Sequence, residues 1–316
     1  MNVRTGVAWG RNALVAFALL ALFALGASTT ASAASGPFSG KNGKIAVVKS
    51  GGGPMRVGVV SRKGNFRPLY EASSDDFVDT VSFSPSGSRI AFSSGFQPTG
   101  LGILKVSGGR PSWISPGNMN VYNPTWIKGG RIVYHGDYMS GGSRAGAYSI
   151  RDNGNDVRRL FRRSEVVSTA PGGRAFAAVD IRGNSRYLDL LDRRGKKITR
   201  LASDRKNRFF YMDPAFSDDG RWVVYTRVPG DPSGDYRGSL FMVRRDGTGT
   251  RRLTKGNRDA NPSFSPDGRW ISFLRRKKGS SYESNLSVLP LRHPKKVRRV
   301  TRTPNAQYFD TSWGRR

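Results

Sequence analysis

The sequence has 316 residues, with 53 Lys+Arg against 22 Asp+Glu, a formal net charge of +31 and no cysteine. The missing thiols exclude disulfides and thiolate metal sites, so an exported chain of this kind must be held by its core. The charge draws in anionic partners, whether nucleic acid, acidic polysaccharide, wall polymer or lipid headgroup, and says nothing about fold.

Residues 1–33 read as a secretory signal peptide. Arg4 and Arg11 form a positive start, Ala13–Ala27 is an unbroken small and apolar run, and Ala31-Ser32-Ala33 is a small-x-small cleavage site. The run falls short of the roughly 20 residues that span a bilayer, which disfavours the rival reading as a retained membrane anchor. No Arg-Arg pair precedes it, so the general secretory route is expected over the twin-arginine one. Residues 34–42 are expected to be a short linker. No second long apolar stretch follows, and the exported chain is expected to be soluble, in the periplasm, in the cell envelope or outside the cell.

From there a repeat dominates. Thr80-Val-Ser-Phe-Ser-Pro-Ser-Gly-Ser-Arg-Ile-Ala-Phe92, Asp213-Pro-Ala-Phe-Ser-Asp-Asp-Gly-Arg-Trp-Val-Val-Tyr225 and Asn261-Pro-Ser-Phe-Ser-Pro-Asp-Gly-Arg-Trp-Ile-Ser-Phe273 are copies of one unit. Asn123-Pro-Thr-Trp126 with Gly130-Arg-Ile-Val-Tyr134 is a shortened copy, and Val166 to Arg174 a worn one. Glycines at 43, 87, 130, 173, 220, 268 and 314 recur about every 43 to 48 residues, the period of a four-stranded propeller blade. Six intervals predict six blades. In each, a short inner strand leads through a Ser-Pro-Asp-Gly turn into an alternating second strand; a third and fourth follow, as in Ser239–Val243 and Thr250–Thr254.

The chain ends on Phe309-Asp-Thr-Ser-Trp-Gly314, an inner strand with no second strand after it, and the repeat region starts on Gly43-Lys-Ile-Ala-Val-Val48, a second strand with no inner strand before it. Together they complete one blade. The expected fold is therefore all-β: a six-bladed propeller of antiparallel blades over residues 43–314, closed by its C-terminal strand, which removes two free sheet edges.

These motifs resemble the TolB-like, WD-repeat-like propeller family across residues 43–314. The resemblance implies the architecture, and with it a module used for protein interaction and as the non-catalytic part of some serine peptidases. TolB itself is a periplasmic component of an envelope complex. The second strand at Gly43 is expected to follow the leader directly, without an α/β domain before the propeller as in TolB, so only the architecture is carried over.

Catalytic chemistry is hard to find. Two histidines, His135 after a second strand and His293 in a basic stretch, are too few for a His-rich zinc site. No Gly-x-Ser-x-Gly elbow occurs. Asp231 to Asp235 opens like a calcium loop, but Tyr236 and Met242 stand where glycine and glutamate are needed. We expect no enzyme activity, a carbohydrate-active lyase or hydrolase working from carboxylates at the channel mouth being the least favoured reading, and no metal and no cofactor.

Candidate binding residues come from the topology. Thr80, Asn123, Val166, Asp213, Asn261 and Asp310 open the inner strands, and in a closed ring they approach the channel mouth. Tyr122, Tyr211, Tyr308 and Phe309 stand beside them, so polar groups ringed by aromatics could receive a partner peptide or sugar. Asn/Asp-Pro also starts strands by turn chemistry alone. A second candidate set is basic: Arg275, Arg276, Lys277 and Lys278 in one loop, with Lys295 and Lys296, for a wall polymer or acidic polysaccharide. The pairs Arg158-Arg159, Arg251-Arg252 and Arg298-Arg299 sit on outer strands, where charge also deters edge-to-edge pairing. No nucleic-acid-binding motif accompanies them. A monomer that recognises an unidentified protein or envelope polymer is expected, with the protein favoured.

Overall fold

The computed structural model describes residues 37–38, 40–74, 76–95, 100–117, 119–138, 145–162, 166–230, 237–256, 258–280 and 282–316. The expected signal peptide and the segment Asp231 to Asp235 weighed for calcium lie outside them.

Alternating Val/Ile/Phe runs broken by glycine turns form six four-stranded antiparallel sheets, with no helix among the described residues. We number the blades from the N-terminus. Their inner strands are Gln307–Arg315 for blade 1, then Val78–Phe83, Met119–Ile127, Val166–Thr169, Phe209–Phe216 and Asp259–Phe264 for blades 2 to 6. Blade 1 is built from both chain ends. Gln307–Arg315 pairs with Asn42–Ser50, and Ile45 stands opposite Trp313, Ala46 opposite Ser312 and Val47 opposite Thr311. The predicted closure is therefore present.

The core lies between blades rather than within one. Six buried clusters fill the six junctions. The seam between blades 6 and 1 holds Ile45, Leu286, Tyr308 and Trp313, capped by Phe38 from the expected linker, whose ring lies 5.6 Å from that of Trp313. Asn42 adds a strap: its amide donates to the Pro37 carbonyl (3.0 Å) and its side-chain oxygen accepts the Asp267 N–H (3.1 Å).

Two sequence expectations need correction. Gly87, Gly130, Gly173, Gly220 and Gly268 are turn glycines, with φ between 65° and 74°. Gly43 and Gly314 are not; both lie within the closing strands. A Cβ on Gly43 would sit 2.5 Å from the Arg315 carbonyl, and one on Gly314 2.7 Å from the Phe83 ring, so close approach demands glycine there. The fourth strands are also shorter than read: those of blades 5 and 6 are Arg251–Arg252 and Arg298–Arg299.

Strand alternation gives the ring two chemically separate faces. The entry face carries the outer-to-inner connections and the loops between second and third strands. The turn face carries the Ser-Pro-Asp-Gly turns and the loops between third and fourth strands.

Candidate functional site: the central channel and its entry face

Each inner strand breaks register with its neighbour about midway, at Val78/Val81, Tyr122/Thr125, Val166/Ser168, Met212/Ala215, Ala260/Ser263 and between Tyr308 and Thr311. These are bulges. In three of them an Asn or Asp before proline takes the left-handed conformation: Asn123 (φ 51°), Asp213 (φ 50°) and Asn261 (φ 48°). Short polar side chains tolerate that region where branched ones do not. The repeated Asn/Asp-Pro is thus a bulge in mid-strand rather than the start of a strand.

The bulges turn Thr80, Asn123, Asp213, Asn261 and Asp310 towards a central channel with a cavity of about 250 Å³. Several of these side chains are committed to neighbouring blades. Asp310 Oδ2 accepts the Val81 N–H (2.9 Å), and Asp213 Oδ2 accepts the Asn261 N–H (3.1 Å) and the Thr226 hydroxyl (3.0 Å). Two residues further on a serine repeats the device. The hydroxyls of Ser312, Ser82 and Ser263 accept the N–H groups of Phe83 (3.0 Å), Trp126 (3.2 Å) and Trp313 (3.3 Å). The Thr311 hydroxyl donates to the Asn261 carbonyl at 2.9 Å. Burial pushes the Asp213 carboxyl above its ordinary value, against the pull of its two donors. The channel wall is a set of inter-blade ties.

The four sequence-selected aromatics divide by strand alternation. Tyr211 and Tyr308, two residues before the bulge aspartates, are buried between blades. Tyr211 packs edge-on against Tyr225, and the Tyr308 hydroxyl lies 3.2 Å from that of Thr303. Tyr122 and Phe309, one residue before the bulge, turn the other way. Phe309 meets Phe77 edge-on at 6.1 Å, and Tyr122, 39 % exposed, stacks on His135. His135 lies inside its strand, Arg131–Tyr138, rather than after it, and burial lowers its pKa. Of the four aromatics expected at the mouth, Tyr122 alone is exposed, while Phe309 packs against the cluster between blades 1 and 2.

Aligning the repeats puts Met212 at the position of Tyr122 and Phe309, and it is 41 % exposed. Sequence reading passed over it, although counting one residue back from Asp213 finds it. Phe77, Ile181, Phe210 and Tyr282 join Tyr122 and Met212 on the entry face. They make six of the nine exposed large apolar side chains among the described residues.

The basic candidates fall on different faces. Arg275 to Lys278 lead into a loop of the entry face, whereas Lys295 and Lys296 lie in a loop of the turn face. Arg275 grips the fully buried Asp259 with two bonds of 2.7 and 3.0 Å, and Lys277 pairs with Glu283 at 2.6 Å. The Arg276 backbone N–H donates to the Arg258 carbonyl, while Lys278, Lys295 and Lys296 are exposed. Among the described residues no cluster of three or more His, Cys, Asp or Glu could hold a metal ion. No helix there is long and apolar enough to cross a membrane.

No protein-family model matches the sequence, and no curated protein is found similar to it. Solved structures are similar in shape. TolB from Acinetobacter baumannii aligns with a TM-score of 0.68 at 20 % identity, covering 88 % of this chain and 67 % of that one. A chain of the nidogen/laminin complex aligns at 0.62 with 10 % identity over 85 % and 98 %. Oligogalacturonate lyase in complex with manganese aligns at 0.50 with 14 % identity over 84 % and 75 %. Identities so low speak to fold alone, and by blade number, blade make-up and closure this chain is a six-bladed β-propeller, similar in fold to TolB.

Proposed function

We propose that this chain is an exported, non-catalytic binding propeller that docks a protein partner on its entry face. The observation that carries the reading is the gathering there of Phe77, Tyr122, Ile181, Phe210, Met212 and Tyr282, exposed apolar side chains on a chain otherwise covered in charge. Similar structures include binding proteins and an enzyme, so the fold does not choose between them. The commitments of the channel carboxylates support the non-catalytic reading: Asp213 and Asp310 accept backbone N–H groups of neighbouring blades, and Asp218 pairs with Arg315. Export rests on the leader sequence.

The test is capture from envelope extract by immobilised protein, at low and high salt, with Tyr122→Ser, Met212→Ser and Tyr282→Ser made together. A partner retained at high salt and lost with the triple variant, at an unchanged melting temperature, supports the reading. Capture that the triple variant leaves intact, or that vanishes as soon as salt is raised, removes it. N-terminal sequencing of the exported protein should begin at Ala34.

A further inference from the structure

The turn face has a different chemistry. Its third-to-fourth-strand loops on five successive blades are cationic: Arg193 and Arg194 on blade 4, Arg244 and Arg245 on blade 5, Lys295 and Lys296 on blade 6, Arg62 and Lys63 on blade 1, and Lys105 and Arg110 on blade 2 all stand exposed. The loop of blade 3 instead carries Asp152 and Asp156, both paired with arginines. The positive charge therefore forms an arc and not a full ring.

Within the arc an open groove of about 820 Å³ separates blades 4 and 5. Leu190, Ile198 and Trp222 line its apolar part, and Arg221, Arg244 and Arg245 its cationic part. Ile198 is 51 % exposed, at a bulge of the outer strand Lys197–Asp204 where Leu190 pairs with Thr199 and Leu191 with Lys197. The two aspartates of the groove are occupied locally. Asp219 accepts the Ser217 hydroxyl (2.5 Å) and the Arg221 N–H (2.9 Å), and Asp246 accepts the Thr248 N–H (2.8 Å) and hydroxyl (2.6 Å). Among the described residues none of the three arginines forms an ion pair. Arg244 lies over the Trp222 ring, 5.4 Å from its centre, which holds the guanidinium fork in place.

We infer that this groove is a second docking site, for an acidic peptide segment that carries an aliphatic anchor. Arginine forks suit carboxylates, and the exposed Ile198 beside Leu190 and Trp222 offers a seat for a leucine-like side chain. A sugar polymer fits less well, because the indole face that a pyranose would stack on is covered by Arg244. A polyphosphate has no use for the exposed isoleucine. The site lies on the face opposite the docking surface proposed above, and each stands or falls without the other.

The probe is a dye-labelled oligoglutamate containing one leucine, followed by fluorescence anisotropy on the full chain. Binding should weaken at least about tenfold with Arg244→Ala plus Arg245→Ala, the loss expected for charge-assisted hydrogen bonds. It should also weaken when the probe's leucine becomes serine, or with Ile198→Ser in the protein. Lys206→Glu plus Lys278→Glu, exposed cations of the entry face, should change it little. Equal loss in that control pair would mean diffuse charge attraction and overturn the site. So would indifference to the leucine, absence of binding, or tighter binding of polygalacturonate, polyphosphate or duplex DNA to the same arginines. Melting curves of each variant separate lost binding from lost fold.

Discussion

Asp213 shows how a single position can mix backbone and electrostatic demands. Its left-handed φ asks for Asn, Asp or Gly, and its oxygen ties blade 5 to blade 6 through the Asn261 N–H. An amide oxygen could do both, as Asn123 and Asn261 occupy the same place in their blades. Burial raises the native carboxyl above its ordinary 3.8, so the folded state holds the proton more tightly than the unfolded chain. Stability then falls as pH rises from about that value through the raised native pKa, and levels off above it. Asp213→Asn removes this loss. Denaturant titration over a pH series should find the variant close to wild type in acid and more stable at neutral pH; a gap that widens on acidification would contradict the account. Asp156 has the opposite sign. Hydrogen bonds from Arg158 and Arg131 lower its pKa to about 2, and its contribution, present above the ordinary carboxylate value, is lost as pH falls towards that figure.

At the scale of the element, the inner strand is the working unit. Its serine accepts an N–H from the next blade, as Ser82, Ser263 and Ser312 do. Each Ser→Ala change leaves that N–H without its acceptor and should cost about 1–2 kcal/mol, read from urea unfolding. An effect near zero for all three would mean that the ties are incidental. The sequence made much of this element legible, because repeated Phe-Ser-Pro-Asp-Gly fixes both turn and register. It did not reveal the mid-strand bulge: Asn-Pro reads equally well as a strand start, and the left-handed φ leaves no composition signal of its own. The bulge explains the misplaced aromatics too. Tyr211 and Tyr308 lie on one side of the alternation, in the seams with blades 4 and 6, and Tyr122 and Phe309 on the opposite side, with Phe309 against the seam with blade 2, although all four are close neighbours of channel-lining residues. The loops were harder still, since the partners of Arg275 and Lys277 are set by three-dimensional proximity and both basic runs look free in one dimension.

For the whole molecule, closure decides stability. Deleting residues 309–316 removes most of the innermost strand of blade 1, takes Trp313 from the seam with blade 6 and exposes the edge of Asn42–Ser50. The melting temperature should fall by more than about 10 °C, given the several kcal/mol carried by a buried tryptophan and a strand ladder; an unchanged melt would show that the seam is not what holds the ring. The two faces follow from the same topology. One gathers exposed aromatic and aliphatic side chains and the other an arc of loop cations, so the two docking sites proposed above would not compete. There is also a temporal cost. The strand that finishes blade 1 occupies the last nine-residue strand of the chain, Gln307–Arg315, while its partner strand begins at Asn42. A nascent polypeptide therefore waits, with one sheet incomplete, until residues 307–315 have been made, and a stalled or clipped product would present that open edge to every other unfinished copy around it.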